Sequence, residues 1–390
     1  MLSLLLVVIY LSFISLGLPD PLLGAAWPSM HADLGAQLSW SGAIFIIISC
    51  GTVISSLQSD RLTKRFGAAI VTAASVGMTA LALWGFSIST SFAMLCLWAI
   101  PYGLGAGSVD SALNNFVALH YASRHMSWLH CMWGLGTTVG PLVLSQAMAA
   151  GLGWQGGYRH IAIMQAVLTA ILVLSLPLWR RADASSPSRT HDRAAAKPMP
   201  LREVIRIPGV KLVVVCFFLY CGLEQTVMLW GSTFLVQARD IDATTAASFA
   251  SLFSIGITAG RALSGLLTLR LSDEQLVRAG IITVACGIAL IAIPGVEVTS
   301  LMGLVLIGLG CAPIYPCLIH STPKLFGARN SQAVMGVQMA CAFCGPLIVA
   351  PLFGRIATRI GFWLLPLWLA ALLALLLFLH TRLIATTSAR

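Results

Sequence analysis

The octet GLGAGSVD at residues 103–110 recurs 205 residues later as GLGCAPIY at 308–315. Both copies lie in long uncharged runs, and the first ends on an acid, Asp110, with Asn114 and Asn115 just beyond it. The chain is 58% hydrophobic and 9% charged, with a mean hydropathy of +0.90. That balance excludes a soluble globular protein and makes this an integral membrane protein. An acid placed inside such a run therefore requires a specific reason.

Runs of about 20 apolar residues, enough for a helix to cross about 30 Å of hydrocarbon, recur twelve times. Their approximate extents are 2–24, 39–59, 67–87, 91–118, 128–150, 160–179, 210–236, 244–268, 277–295, 299–321, 331–354 and 362–381. Segments such as LALLALLLFLH and VVIYLSFISL do not alternate apolar with polar residues, which excludes a membrane β-barrel. An all-α protein of twelve transmembrane helices is expected. The first run opens MLSLLLVV with no basic leader, and Asp20 stands where a signal peptide would carry a small-residue cleavage site. It is expected to be retained.

Basic residues near span ends mark the cytoplasmic side. With the N-terminus inside, the even-numbered connections and the two ends hold 18 of the 23 Lys and Arg, the odd-numbered connections hold Arg159, Arg239, Arg355 and Arg359, and Arg261 lies within a span. Both termini are thus expected in the cytoplasm, at a bacterial inner membrane. The formal net charge of +10 then reflects topology and attraction to lipid head groups rather than nucleic-acid binding. The ten cysteines lack the spacing of a secreted framework, and pairs such as CAFC (341–344) are expected to pack; no disulfide, metal or cofactor is expected.

Residues 180–208, RRADASSPSRTHDRAAAKPMPLREVIRIP, form the one clearly aqueous segment, a linker between six-helix halves at 1–179 and 209–390. Beyond the opening octets, GTVISSLQSDR (51–61) pairs with GRALSGLLTLR (260–270), Gly140-Pro141 with Gly345-Pro346, and GLPD (17–20) with GLE (222–224). Single glycine matches are weak in membrane helices, where small residues serve close packing, but a nearly constant offset is not. Two parallel six-helix repeats joined by a cytoplasmic linker resemble the major facilitator superfamily. SDRLTKRFG after the second span resembles that superfamily's loop motif, with Asp60, Arg61, Lys64 and Arg65 in place and departures at Ser56 and Thr63. Asp60, Arg61 and Arg65 are accordingly assigned to a gating loop.

Ten of the 13 acids fall in loops or at helix ends, leaving Asp20, Asp110 and Glu224 within spans. An ionised carboxylate at the bilayer centre costs roughly 2.5–3.5 kcal/mol, so each should face the bundle interior or a wet cavity. A carboxyl that can take up and release a proton there is what coupling requires. Two roles stay open for each: titration, or pairing with a buried base or with backbone freed by proline, as Pro19 and Pro21 beside Asp20 suggest. Asp110 and Asn114, four apart, share a helix face. Asp20 and Glu224 occupy matching places in the repeat, whereas Asp110 is matched by Tyr315.

GLPDPLLGAAWPSM (17–30) and GAGSVDSALNNF (105–116) resemble the first and fourth spans of the fucose–proton symporter family. LYCGLEQT (219–226), IGITAGR (255–261) and IYPCLI (314–319) resemble its seventh, eighth and tenth spans, while MSWLHCMWGLG (126–136) departs from it. The resemblance implies proton-coupled uptake of a small polar solute such as a sugar, with Asp110 carrying the proton and Asp20 near the solute. Proton coupling is assigned to Asp110 and Glu224, and solute binding to Asp20, Asn114, Asn115, His130, Trp133, Gln225, Trp230, Tyr315 and Gln338. His130 has an alternative as a carbonyl-bonded histidine, the tryptophans as interfacial anchors, and Arg261 as a salt-bridge or carbonyl partner. The expected partners are a small solute, protons and the lipid bilayer, with the chain a monomer. The rival on the same fold is a proton-driven exporter of drugs or metabolites. A membrane enzyme would need a nucleophile–base set or a ligand cluster at one membrane face, and no such grouping is expected; a receptor with a transporter fold remains open.

Overall fold

The computed structural model describes residues 2–37, 40–184, 198–241, 243–294 and 297–388. Among these there is no strand, only helix and connection. The helices are α1 Leu2–Gly17, α2 Leu22–Asp33, α3 Ser41–Phe66, α4 Ala68–Ser87, α5 Phe92–His120, α6 Ser123–Ala149, α7 Gly153–Ala184, α8 Leu201–Val204, α9 Val210–Arg239, α10 Ala243–Leu267, α11 Asp273–Ala292, α12 Glu297–Phe326, α13 Ala328–Ile360 and α14 Leu365–Ser388. The middle of the linker, residues 185–197 with Arg189, Asp192, Arg193 and Lys197, lies outside the described residues.

Among the described residues, ten helical segments are long and apolar enough to cross a membrane. α6 and α10 complete the twelve of the sequence reading: the polar run Ser-Arg-His-Met-Ser-Trp-Leu-His opens α6, and α10 contains the apolar stretch Phe253–Leu267. Several helices outrun the apolar stretches that mark them, because the hydrogen-bond ladder continues into the head-group region. The first span is the exception in shape. It breaks between α1 and α2 at Leu18-Pro19-Asp20-Pro21, where the prolines withhold amide donors and Leu22 N–H turns back to the Pro19 carbonyl at 3.1 Å. Leu97, Leu174, Ile282 and Leu367 are exposed, as suits side chains turned toward lipid.

The chain forms two compact units, one of residues 1–116, 132–200 and 328–336, the other of 117–131, 201–327 and 337–390. The core of the first gathers Trp27, Phe86, Tyr102, Trp154 and Tyr158, with the Phe86 and Tyr158 rings stacked at 5.4 Å and the Trp154 indole donating to Asp33 at 2.8 Å.

The repeat is visible as matching glycine contacts within each unit. A Cβ on Gly103 would run into the Ile48 carbonyl, and one on Gly308 into the Phe253 carbonyl. A Cβ on Gly51 would lie 3.1 Å from the Leu104 nitrogen, and one on Gly256 lies 3.2 Å from the Leu309 nitrogen. Ile48, Gly51, Gly103 and Leu104 of the first unit are thus matched by Phe253, Gly256, Gly308 and Leu309, each 205 places later in the second, so α3 meets α5 as α10 meets α12. This corrects the sequence pairing of Gly51 with Gly260: the structural equivalent is Gly256, one helical turn earlier. A slip of four residues keeps a helix face in place, which is why both pairings look plausible as strings of letters.

Candidate functional site

Asp20 lies in the break after α1, where its side chain retains solvent exposure. Two donors approach its carboxylate: Trp133 Nε1 donates to Oδ2 at 2.9 Å, and Tyr102 Oη to Oδ1 at 3.5 Å. The indole is held there by close packing of α6 on α1. A Cβ on Gly17 would strike the Trp133 carbonyl and one on Gly136 the Ile14 carbonyl, so only glycine allows the two backbones to approach this far. Gly136, the second glycine of the GLG at 134–136, is thus explained by the close approach that brings Trp133 to Asp20. Tyr102 comes from α5, its ring in the aromatic core and its hydroxyl turned to the acid.

Further along α5, Asp110 accepts from Asn114 Nδ2 at 2.8 Å, the bond expected from their four-residue spacing. Asp20 and Asp110 also bear on each other electrostatically. Asn115, one residue on, is fully engaged elsewhere: its Nδ2 donates to Gln332 Oε1 at 2.8 Å and its Oδ1 accepts from Ser331 at 2.6 Å. Gln332 Nε2 reaches Ser59 Oγ and the Ser111 carbonyl, each at 3.4 Å. Within one asparagine pair, then, Asn114 faces the acid and Asn115 is bound into packing at the start of α13.

In the second unit, Glu224 lies 3.7 Å from Arg261, with both side chains largely buried. Arg261 Nη1 also points to the His130 carbonyl at 3.4 Å, so the arginine serves as an ion-pair and carbonyl partner. The His130 ring meets Tyr315 edge-on at 4.9 Å, and Phe217 and Tyr220 pack around the same tyrosine. Tyr315 Oη contacts Met339 Sδ at 3.3 Å. Gln338 Oε1 accepts from Thr322 at 3.0 Å, while its Nε2 is buried without a hydrogen-bond partner among the described residues. Gln225 is half-buried beside Glu224.

Trp230 is occupied with packing: its indole donates to the Ala350 carbonyl at 2.8 Å and its ring lies against Phe353 and Phe362. At the end of α3, Asp60 is buried, pairs with Lys64 at 3.0 Å and accepts the Met199 amide at 3.0 Å, tying the end of the linker to α3. Arg61 reaches Gln58 at 3.4 Å, and Arg65 lies 5.2 Å over the Phe66 ring. Among the described residues no group of three or more His, Cys, Asp or Glu is placed to hold a metal ion.

Tyr102, Ser331 and Gln332 were not singled out by the sequence. Tyr102 had one available signal, an aromatic residue beside Pro101 in an otherwise small-residue run. The other two carried none, because their partners lie more than 200 positions away.

Two six-helix repeats and in-span acids are the arrangement of a secondary transporter. The chain belongs to the Major Facilitator Superfamily, whose family model matches residues 4–326 and again 214–389. It is a membrane transporter by family, and such transporters are not enzymes. It is similar to "Bypass of stop codon protein 6" of Saccharomyces cerevisiae, 22% identical over 91% of this chain and 77% of that protein. Its fold is similar to the Escherichia coli fucose:proton symporter FucP, with a TM-score of 0.73 and 15% identity over 97% of this chain and 98% of that one. The human organic anion transporter MFSD10 has the same fold, with a TM-score of 0.72, 17% identity, and 97% and 98% of the two chains covered.

Proposed function

We propose that this chain imports a small polar solute such as a sugar together with a proton, by alternating access, as a monomer in a bacterial inner membrane with both termini in the cytoplasm. The observation that carries this reading is the pairing of two differently furnished acids in one unit. Asp20 is exposed and oriented by an indole and a phenol, as a solute-binding carboxylate should be. Asp110 accepts from the neutral amide of Asn114 rather than pairing with a base among the described residues, as suits a group that must exchange a proton. The motifs shared with the fucose–proton symporter family, and a fold similar to FucP, point the same way.

In this mechanism Asp110 takes the proton and Asp20, with Trp133, orients solute hydroxyls, the indole face also offering a surface for a sugar ring. Protonating Asp110 removes its charge from the neighbourhood of Asp20, so proton and solute occupancy are linked through that electrostatic contact. Glu224 takes part through its pair with Arg261: a proton on the carboxyl removes half of that pair and frees Arg261 to rely on the His130 carbonyl. Coupling then requires only that the change of access be favourable with both ligands bound or with neither.

The test is Asp110→Asn in proteoliposomes. Proton-driven accumulation should be abolished while exchange of labelled for unlabelled solute continues. Accumulation that survives the substitution would remove Asp110 from the mechanism, and acidification rather than alkalinisation of the medium on adding solute to cells would favour the exporter.

A further inference from the structure

Three regions remote in sequence meet at a histidine outside the site described above. His320 lies near the end of α12, Asp273 opens α11, Tyr121 lies in the connection from α5 to α6, and Ser123 opens α6. Nδ1 of His320 is 2.6 Å from Asp273 Oδ2, and Nε2 is 3.2 Å from the Tyr121 carbonyl oxygen. Ser123 Oγ donates to Asp273 Oδ1, and Ser321 Oγ reaches Oδ2 at 3.5 Å. The His320 and Asp273 side chains are only 19% and 18% exposed, so water does little to substitute for a missing bond.

Neutral imidazole carries one N–H and one lone pair. Here both ring nitrogens face acceptors: a backbone carbonyl that can only accept, and a carboxyl already accepting from Ser123. Satisfying both takes one proton more than a neutral histidine and an ionised carboxylate hold between them. When that proton leaves for water, the remaining N–H can serve Asp273 or the Tyr121 carbonyl, and the other contact sets a lone pair against an oxygen. The groups acting on His320 are Asp273 and the Tyr121 carbonyl, and those acting on Asp273 are His320, Ser123 and Cys317. Glu274, next along α11, is engaged with Arg278 at 2.6 Å. Counting spans from the N-terminus, the three regions adjoin the fourth, eighth and tenth connections, so they lie on one side of the membrane and share one proton reservoir.

We propose that His320 and Asp273 form a second proton-binding site, apart from Asp20, Asp110 and Glu224, that fastens the α5–α6 connection to the ends of α11 and α12 when loaded and releases it when empty. The bound ligand is a single proton, and the sign is fixed by the donors: acid closes the latch and alkali opens it. The site needs neither the solute nor Asp110.

Backbone hydrogen exchange of the α5–α6 connection, measured on the whole chain in lipid nanodiscs below and above the histidine range and divided by the intrinsic rate at each pH, tests it. In the wild type, protection should be lost on going to the higher pH, and the same loss is expected in Asp110→Asn, so failure of the coupling assignment would leave this result standing. His320→Leu should lack the protection at both pH values. Asp273→Asn should keep it at both, because an amide donates to the Nδ1 lone pair of a neutral histidine while Nε2–H still serves Tyr121. A wild-type connection indifferent to pH, or a pH response that persists in either variant, overturns the proposal.

Discussion

At Asp20 two donors share one carboxylate, and their distances separate their expected weights. Trp133 Nε1 at 2.9 Å makes an ordinary charge-assisted bond, while Tyr102 Oη at 3.5 Å stands at the limit of one. Bonds to charged groups contribute about 1.5–3 kcal/mol, or roughly tenfold to a hundredfold in a binding constant where the orientation of the acid matters. Trp133→Phe keeps an aromatic face and removes the donor, so it should raise the solute Kd by about tenfold or more. Tyr102→Phe should change it by no more than about threefold. Equal losses in an equilibrium binding titration would show that the ring of Trp133, not its N–H, is what the solute uses. Asp20→Asn should weaken solute binding more than proton coupling; unchanged binding would reduce Asp20 to a partner for the backbone freed at Pro19 and Pro21.

Between helices, glycine sets the distances. The carbonyls of Ile48 and Phe253 stand where Cβ atoms on Gly103 and Gly308 would go, and a backbone carbonyl cannot swing aside as a side chain can. Gly103→Ala and Gly308→Ala must therefore push α3 from α5 and α10 from α12, each at about 1–3 kcal/mol, the usual range for overpacking. Both should lower Tm in detergent, whereas Gly42→Ala, with open space around it, should not. A silent Gly308→Ala beside a damaging Gly103→Ala would break the structural equivalence of the two repeats. The same positions mark how far the sequence could be read. Twelve spans and the 205-residue offset were legible because hydropathy and small-residue packing are local and periodic. The pairing of Gly51 was set one turn off because residues four apart on a helix share a face, so only contact geometry separates Gly256 from Gly260. The Asp110–Asn114 bond was legible from its spacing, while Tyr102 on Asp20, Gln332 on Asn115 and His320 on Asp273 depend on which helices become neighbours.

For the whole transporter, stoichiometry follows from how many carboxyls exchange a proton in each cycle. In the proposed mechanism Asp110 is the single coupling group, while Asp20 is held by donors and Glu224 by Arg261. One elementary charge moved through 100 mV supplies about 2.3 kcal/mol, which for an uncharged solute limits accumulation to about fifty-fold. Reconstituted chain should approach that ratio at 100 mV with no pH gradient, and its logarithm should rise with voltage at the slope of one charge. A slope of two charges would require a second titrating carboxyl, and Glu224 is the candidate, since a proton there exchanges an ion pair for a neutral acid. Glu224→Gln would then return the slope to one. If the slope is one from the outset, Glu224→Gln should leave it unchanged and alter only the rate, because Arg261 keeps its bond to the His130 carbonyl in either case. A slope of zero in the wild type, with exchange intact, would mean that solute moves without a proton and would remove the coupling role from Asp110 and Glu224 together.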